Sequence, residues 1–129
     1  MATAPAFIET PCAAAVNVAT ANTAIDGTGT ITELIAGAAS GTRVLEVTAK
    51  CAATSAAALV NVFLSTDSGS TWKLIDTIAV SAVTVSNTVP SHKGTILFQN
   101  LILPSSAYRL GVTTTISQST NVVALGGDL

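Results

Sequence analysis

Charge is scarce in this sequence: Lys, Arg, Asp and Glu make up 9% of its 129 residues, and the formal net charge is −2. Five Lys and Arg spread along the chain cannot line a groove that tracks a phosphate backbone, so no nucleic acid partner is expected. Histidine occurs once, at His92 in VPSHKGT, where a proline and a glycine suggest an exposed loop. Asp26, Asp67, Asp76 and Asp128 are scattered without calcium-loop spacing, so no metal is expected. Cys12 and Cys51 have neither metal-ligand nor redox spacing; free, partly buried thiols are expected, with a bridge between them left open. No apolar run reaches the ~18 residues of a spanning helix, and the opening residues lack a signal peptide's basic and apolar regions. The expectation is a soluble protein, made in the cytoplasm, with no membrane partner.

The same scarcity argues against catalysis. Ser91 or Ser105, His92 and Asp76 can be written as a triad, but nothing local orients a nucleophile or builds an oxyanion hole. Ser70-x-x-Lys73 lacks the helix start and companion motifs that a Ser-x-x-Lys nucleophile needs. Gly27-x-Gly29 lacks the third glycine and downstream acid of a dinucleotide fingerprint, so no cofactor is expected. The chain reads as a non-enzyme.

What is abundant is apolar and small: AVILMFWYC residues reach 49%, so the polar surface is built mainly from Thr, Ser and Asn. This composition is the opposite of a disordered chain, and its length suits one domain. Short Val-, Ile- and Thr-rich segments alternate with turn residues, which predicts an all-β fold, a single jelly-roll-like β-sandwich of about eight strands. In TRVLEVTAKC, Leu45, Val47, Ala49 and Cys51 share one face, and Glu46, Thr48 and Lys50 the other. In AYRLGVTTTI the apolar face is Tyr108, Leu110, Val112 and Ile116, a half-buried strand. ALVNVFLS and GTILFQNLIL are almost continuously apolar, as central strands covered on both sides would be. Residues 1–13, with Pro5 and Pro11, read as an extended N-terminal arm outside a sandwich of residues 14–129. Within the arm Phe7 and Ile8, with Pro11, are the candidate partner-binding residues.

Ser65-Thr66-Asp67-Ser68-Gly69-Ser70-Thr71-Trp72 resembles the Asp-box of sialidases and related repeat proteins. Its physics is that of a pinned hairpin: the Asp67 carboxylate accepts turn N–H groups, Gly69 permits φ > 0, and Trp72 folds onto the hairpin base. Ser65 and Thr71 complete the turn. The resemblance implies a β-hairpin between residues 57 and 80 and no chemistry, since two arginines in one domain cannot make a sialidase site.

Taken in order, MATAPAFIETP, TANTAIDGTGTI, LPSSAYRLGVTTT and the ending NVVALGGDL resemble small virion proteins of tailed bacteriophages, of the capsid decoration or cement type. The resemblance implies a β-sandwich bound to the major capsid protein on the outside of the head. It also implies a homo-oligomer, a trimer, that stiffens the shell. Two other uses fit the same reading. One is a carbohydrate- or receptor-binding module on a virion, with Trp72 and Tyr108 as stacking surfaces; the other is a tail component.

Overall fold

The computed structural model describes residues 8–129, and eight strands account for most of them. They are β1 (Thr10–Val18), β2 (Thr32–Ala36), β3 (Thr42–Cys51), β4 (Ala58–Ser65), β5 (Lys73–Val80), β6 (Lys93–Leu103), β7 (Arg109–Thr114) and β8 (Thr120–Asp128). They form two antiparallel four-stranded sheets, in the orders β1-β8-β3-β6 and β2-β7-β4-β5. This alternation of strands between two sheets is the jelly-roll arrangement of a β-sandwich.

The core follows from period two. Along β3, β8 and β1 the register sets Val47, Ala124 and Ala14 in one row, and Ala49, Val122 and Val16 in the next, all facing the second sheet. Opposite them Val60, Val62, Leu110 and Val112 are fully buried. Each such Val or Leu contributes roughly 1.5–3 kcal/mol by leaving water, which is how a chain with few aromatics is held together.

A bulge between Val44 and Glu46 alters the expected face of β3. One extra residue lets Val44 and Val47 both point inward at zero exposure, while Leu45 turns out to solvent at 39%. Strict alternation places Leu45 inside, and a bulge leaves no mark in a hydrophobic pattern. β7 is likewise more buried than expected, because Gly111 and Thr113 on its outer face are covered as well. Ile116 lies beyond its end and is exposed. β4 is central and covered on both faces, as its apolar run suggests. β6 is not: it is an edge strand, with Leu97 75% and Ile102 45% exposed.

The start of the chain also differs from the expected arm. Thr10 to Ala13 belong to β1 and pair with Asp128 to Leu125, so a boundary at residue 13 falls inside a strand. The apolar phase of β1 is carried by Cys12, Ala14 and Val16, too small to stand out as a strand signal. Cys12 shares a row with Gly126, and Cys51 with Thr120. Six residues of strand separate those rows, roughly 20 Å, so no disulfide can join the two thiols. Both are free, and burial, then the nearby Asp128 carboxylate, pushes the Cys12 thiol upward.

Candidate functional site

Ser65, Asp67, Gly69 and Thr71 converge in a turn between β4 and β5. Ser65 Oγ donates to Asp67 Oδ1 at 2.8 Å and accepts the Gly69 N–H at 2.8 Å. Asp67 Oδ1 also accepts the Thr71 N–H at 2.9 Å, and its Oδ2 accepts the Thr71 hydroxyl at 2.6 Å. Ser68 and Gly69 both have positive φ, at 63° and 89°, so the glycine answers a real backbone demand. Hydrogen bonds from the Thr71 hydroxyl and N–H, then from Ser65, hold the Asp67 carboxyl down at about 2. The carboxylate thus accepts three hydrogen bonds from within its own turn.

Trp72 then folds over the outer face of its own sheet. A Cβ on Gly111 would lie 2.6 Å from Ile31 Cγ2 and 2.9 Å from Trp72 Cζ3, so only glycine fits beneath them. Phe63, the register partner of Gly111, is fully buried on this face without belonging to the main core. The 19–31 loop extends the cover: the Asn22 N–H donates to Thr114 O at 2.8 Å, and the turn at Gly27 packs against the Trp72 backbone, while Leu59 and Leu74 on the same face remain 44% and 37% exposed. Asn61 and Thr113, polar residues on the same face, are only 1% and 3% exposed. Trp72 is half-buried, and Tyr108 is half-buried against the core.

Among the described residues nothing comparable lies over the outer face of the β1-β8-β3-β6 sheet. Register aligns Ala13, Leu125, the Leu45–Glu46 bulge and Leu97 in one row across all four strands. Flanking rows hold Ala15, Val123, Thr48 and Thr95 on one side, and Pro11, Gly127, Arg43 and Ile102 on the other. Leu125 and Leu45 are each 39% exposed, beside the more open Leu97 and Ile102. Strand spacing and rise give the three rows together an area on the order of 400 Å², the size of the largest patch on an ordinary monomer and often a functional one, interrupted here by Arg43, Glu46, Thr48 and Thr95.

The three candidate partner-binding residues near the chain start divide three ways. Phe7 lies outside the described residues. Ile8 is half-buried against Gly127 of β8, on the rim of this bare face. Pro11 is exposed on the same face, on an edge strand, where a missing N–H is tolerated. Leu97, Ile102, Leu125 and Leu45 do not stand out in the sequence as surface residues, because their exposure depends on strand order.

Among the described residues no group of three or more His, Cys, Asp or Glu stands close enough to hold a metal ion. His92 is half-buried rather than a free loop residue, with Nε2 3.0 Å from Ala79 O. A groove of about 750 Å³ opens between the end of β1, the 19–31 loop and β7, lined by neutral residues such as Asn17, Asn22, Thr32 and Thr113. It offers neither a charged nor an aromatic side chain.

No family model and no curated protein matches the chain. Among solved structures, a chain from a crystal structure of the T13 IBDV viral particle aligns over 99% of this chain and 35% of that one. The TM-score is 0.39 and the identity 12%, and this chain spans about a third of that chain's length. A likeness that distant bears on neither the details of the fold nor the function.

Proposed function

We propose that this chain is a non-catalytic structural protein of a virion, a decoration or cement protein that binds the outside of a tailed-phage head and stabilises the shell. The observation that carries this reading is the bare apolar face of the β1-β8-β3-β6 sheet, rimmed by Ile8 and Pro11 where the N-terminal segment joins the sandwich. The ordered resemblance of four stretches of sequence to such proteins supports it independently. The partner is the major capsid protein; the protein is made in the host cytoplasm and ends on the capsid exterior.

The magnitudes favour many copies acting together. Covering ~400 Å² of this face at ~25 cal/mol/Å² yields at most roughly 10 kcal/mol, of the same order as the 4–15 kcal/mol lost on association. One face alone is therefore a modest grip. An assembly bound at several points, or a face supplemented by residues 1–7, gains avidity without new chemistry. Low charge helps, since few ion pairs have to be desolvated on docking.

Cosedimentation with heads of the parent phage, stripped of this protein, tests the reading. Wild type binds saturably, and Leu97→Glu with Leu125→Glu abolishes binding while leaving the fold intact. Absence of wild-type binding would overturn the function, and equal binding by the double variant would overturn the face.

A further inference from the structure

An open sheet edge is a template for another strand unless it is broken or capped, and three of the four edges here are. β2 has only five residues and a bulge between Glu33 and Ile35. β6 bulges opposite the Val44–Glu46 stretch, where Arg43 Nη2 donates to Gln99 O at 2.8 Å. β5 bulges opposite Val62 and Phe63, and its remainder is capped. The Thr77 N–H donates to Asp76 Oδ1 at 2.8 Å, and His92 sits on Ala79 O. β1 is the exception: it runs nine residues in unbroken register with β8, and no described residue interrupts its other side.

Pro11 reveals which backbone groups of β1 are free. In an antiparallel ladder alternate residues bond the neighbouring strand, and this ladder passes through Pro11, which has no N–H, from Thr10 onward. Thr10, Cys12, Ala14, Val16 and Val18 must therefore be the residues bonded to β8. Ala13, Ala15 and Asn17 turn their N–H and C=O groups outward, with no backbone partner elsewhere among the described residues.

We infer that the free edge of β1 pairs antiparallel with β1 of a second copy of this chain, across a two-fold axis, joining two sheets into one of eight strands. Charge favours a second copy as the occupant: Thr10 to Ile25 contain no charged residue, so self-pairing sets no like charges against each other. Glu9 at one end meets neutral residues near 19–21 of the other copy. Alanine at 13 and 15 keeps the seam uncrowded. Both bare faces then lie on one side of the joined sheet, with Ala13 of each copy beside residues 15–17 of the other. Such a two-fold pair takes the place of the trimer that the resemblance implies. It concerns the free protein, so it stands or falls apart from the capsid reading.

Light scattering on the purified full chain, from about 1 μM to about 500 μM, tests this, since an edge contact lies at the low end of specific interfaces, below ~1,200 Å². Wild type is expected to pass from monomer to dimer. Ala15→Pro, at an outward N–H, keeps the fold but stays monomeric, whereas Ala14→Pro removes a bond to β8 and lowers Tm. Ala15→Lys places two lysines at the seam and also stays monomeric, which keeps the test valid if the proline at 15 unfolds the chain. A monomer at every concentration, a trimer, or a dimer that survives both Ala15 variants overturns the inference.

Discussion

Around Gly111 and Phe63 the chain covers the outer face of the β2-β7-β4-β5 sheet, while Leu59 and Leu74 farther out on that face stay 44% and 37% exposed; over the β1-β8-β3-β6 sheet the described residues leave Leu97 75% exposed. The first has Trp72, Ile31 and the 19–31 loop lying on Gly111, with Phe63 sealed beneath. The second leaves Leu97, Leu125, Leu45 and Ile102 in water. Both faces are apolar enough to need a cover, so the difference is where the cover comes from. A buried outer face is a matter of folding, whereas a bare one is available for binding. Substitutions should therefore separate cleanly into those that unfold the protein and those that release it from its partner.

The largest effect expected is on the covered side. Trp72→Ala should lower unfolding free energy by about 3 kcal/mol, the lower end for aromatic truncation because the ring is half-buried, as measured by urea denaturation. A loss no larger than a surface substitution would erase the contrast. On the bare side, Leu97→Glu with Leu125→Glu should change stability by less than about 0.5 kcal/mol yet weaken head binding by about 30-fold or more. Equal destabilisation from substitutions on the two sides would mean that neither face is reserved for a partner.

A smaller effect concerns acid. Asp67 is held at about 2 in the folded chain, below its ordinary 3.8, so its stabilisation is fully present above that ordinary value. It is lost as pH falls from 3.8 through about 2. Asp67→Asn should remove that part of the acid dependence, seen as a flatter melting temperature across the same window. An unchanged slope would show that the turn does not depend on the charged form. The smallest effect expected is of salt: head binding should change less than about 3-fold between roughly 50 and 500 mM NaCl, because the leucine row binds through apolar contact and Arg43, Glu46, Lys50 and Lys93 on the same face are not what grips. A steep salt dependence would point to Lys50, Lys93 or Arg43 instead of the leucines.

How much is legible in the sequence follows the same division. Strand content and the hairpin between β4 and β5 can be read directly, since period two and turn chemistry are local properties. Strand order is not local. GTILFQNLIL looks like a central strand, and only its place at the edge of a sheet exposes Leu97 and Ile102. The bulge at Leu45 is equally hidden, as is the start of β1 in a run of small residues. Phe63 and the apolar row have similar side chains; what separates them is that a loop and a tryptophan from elsewhere in the chain lie over one and not the other.

Hydroxyl-radical footprinting of the protein, free and then bound to stripped heads, tests the central contrast most directly. The account predicts protection of Leu97, Ile102 and Leu125 on binding, with Ile25 and Trp72 unchanged. Protection of Ile25 and Trp72, with Leu97 still fully reactive on the particle, would contradict it.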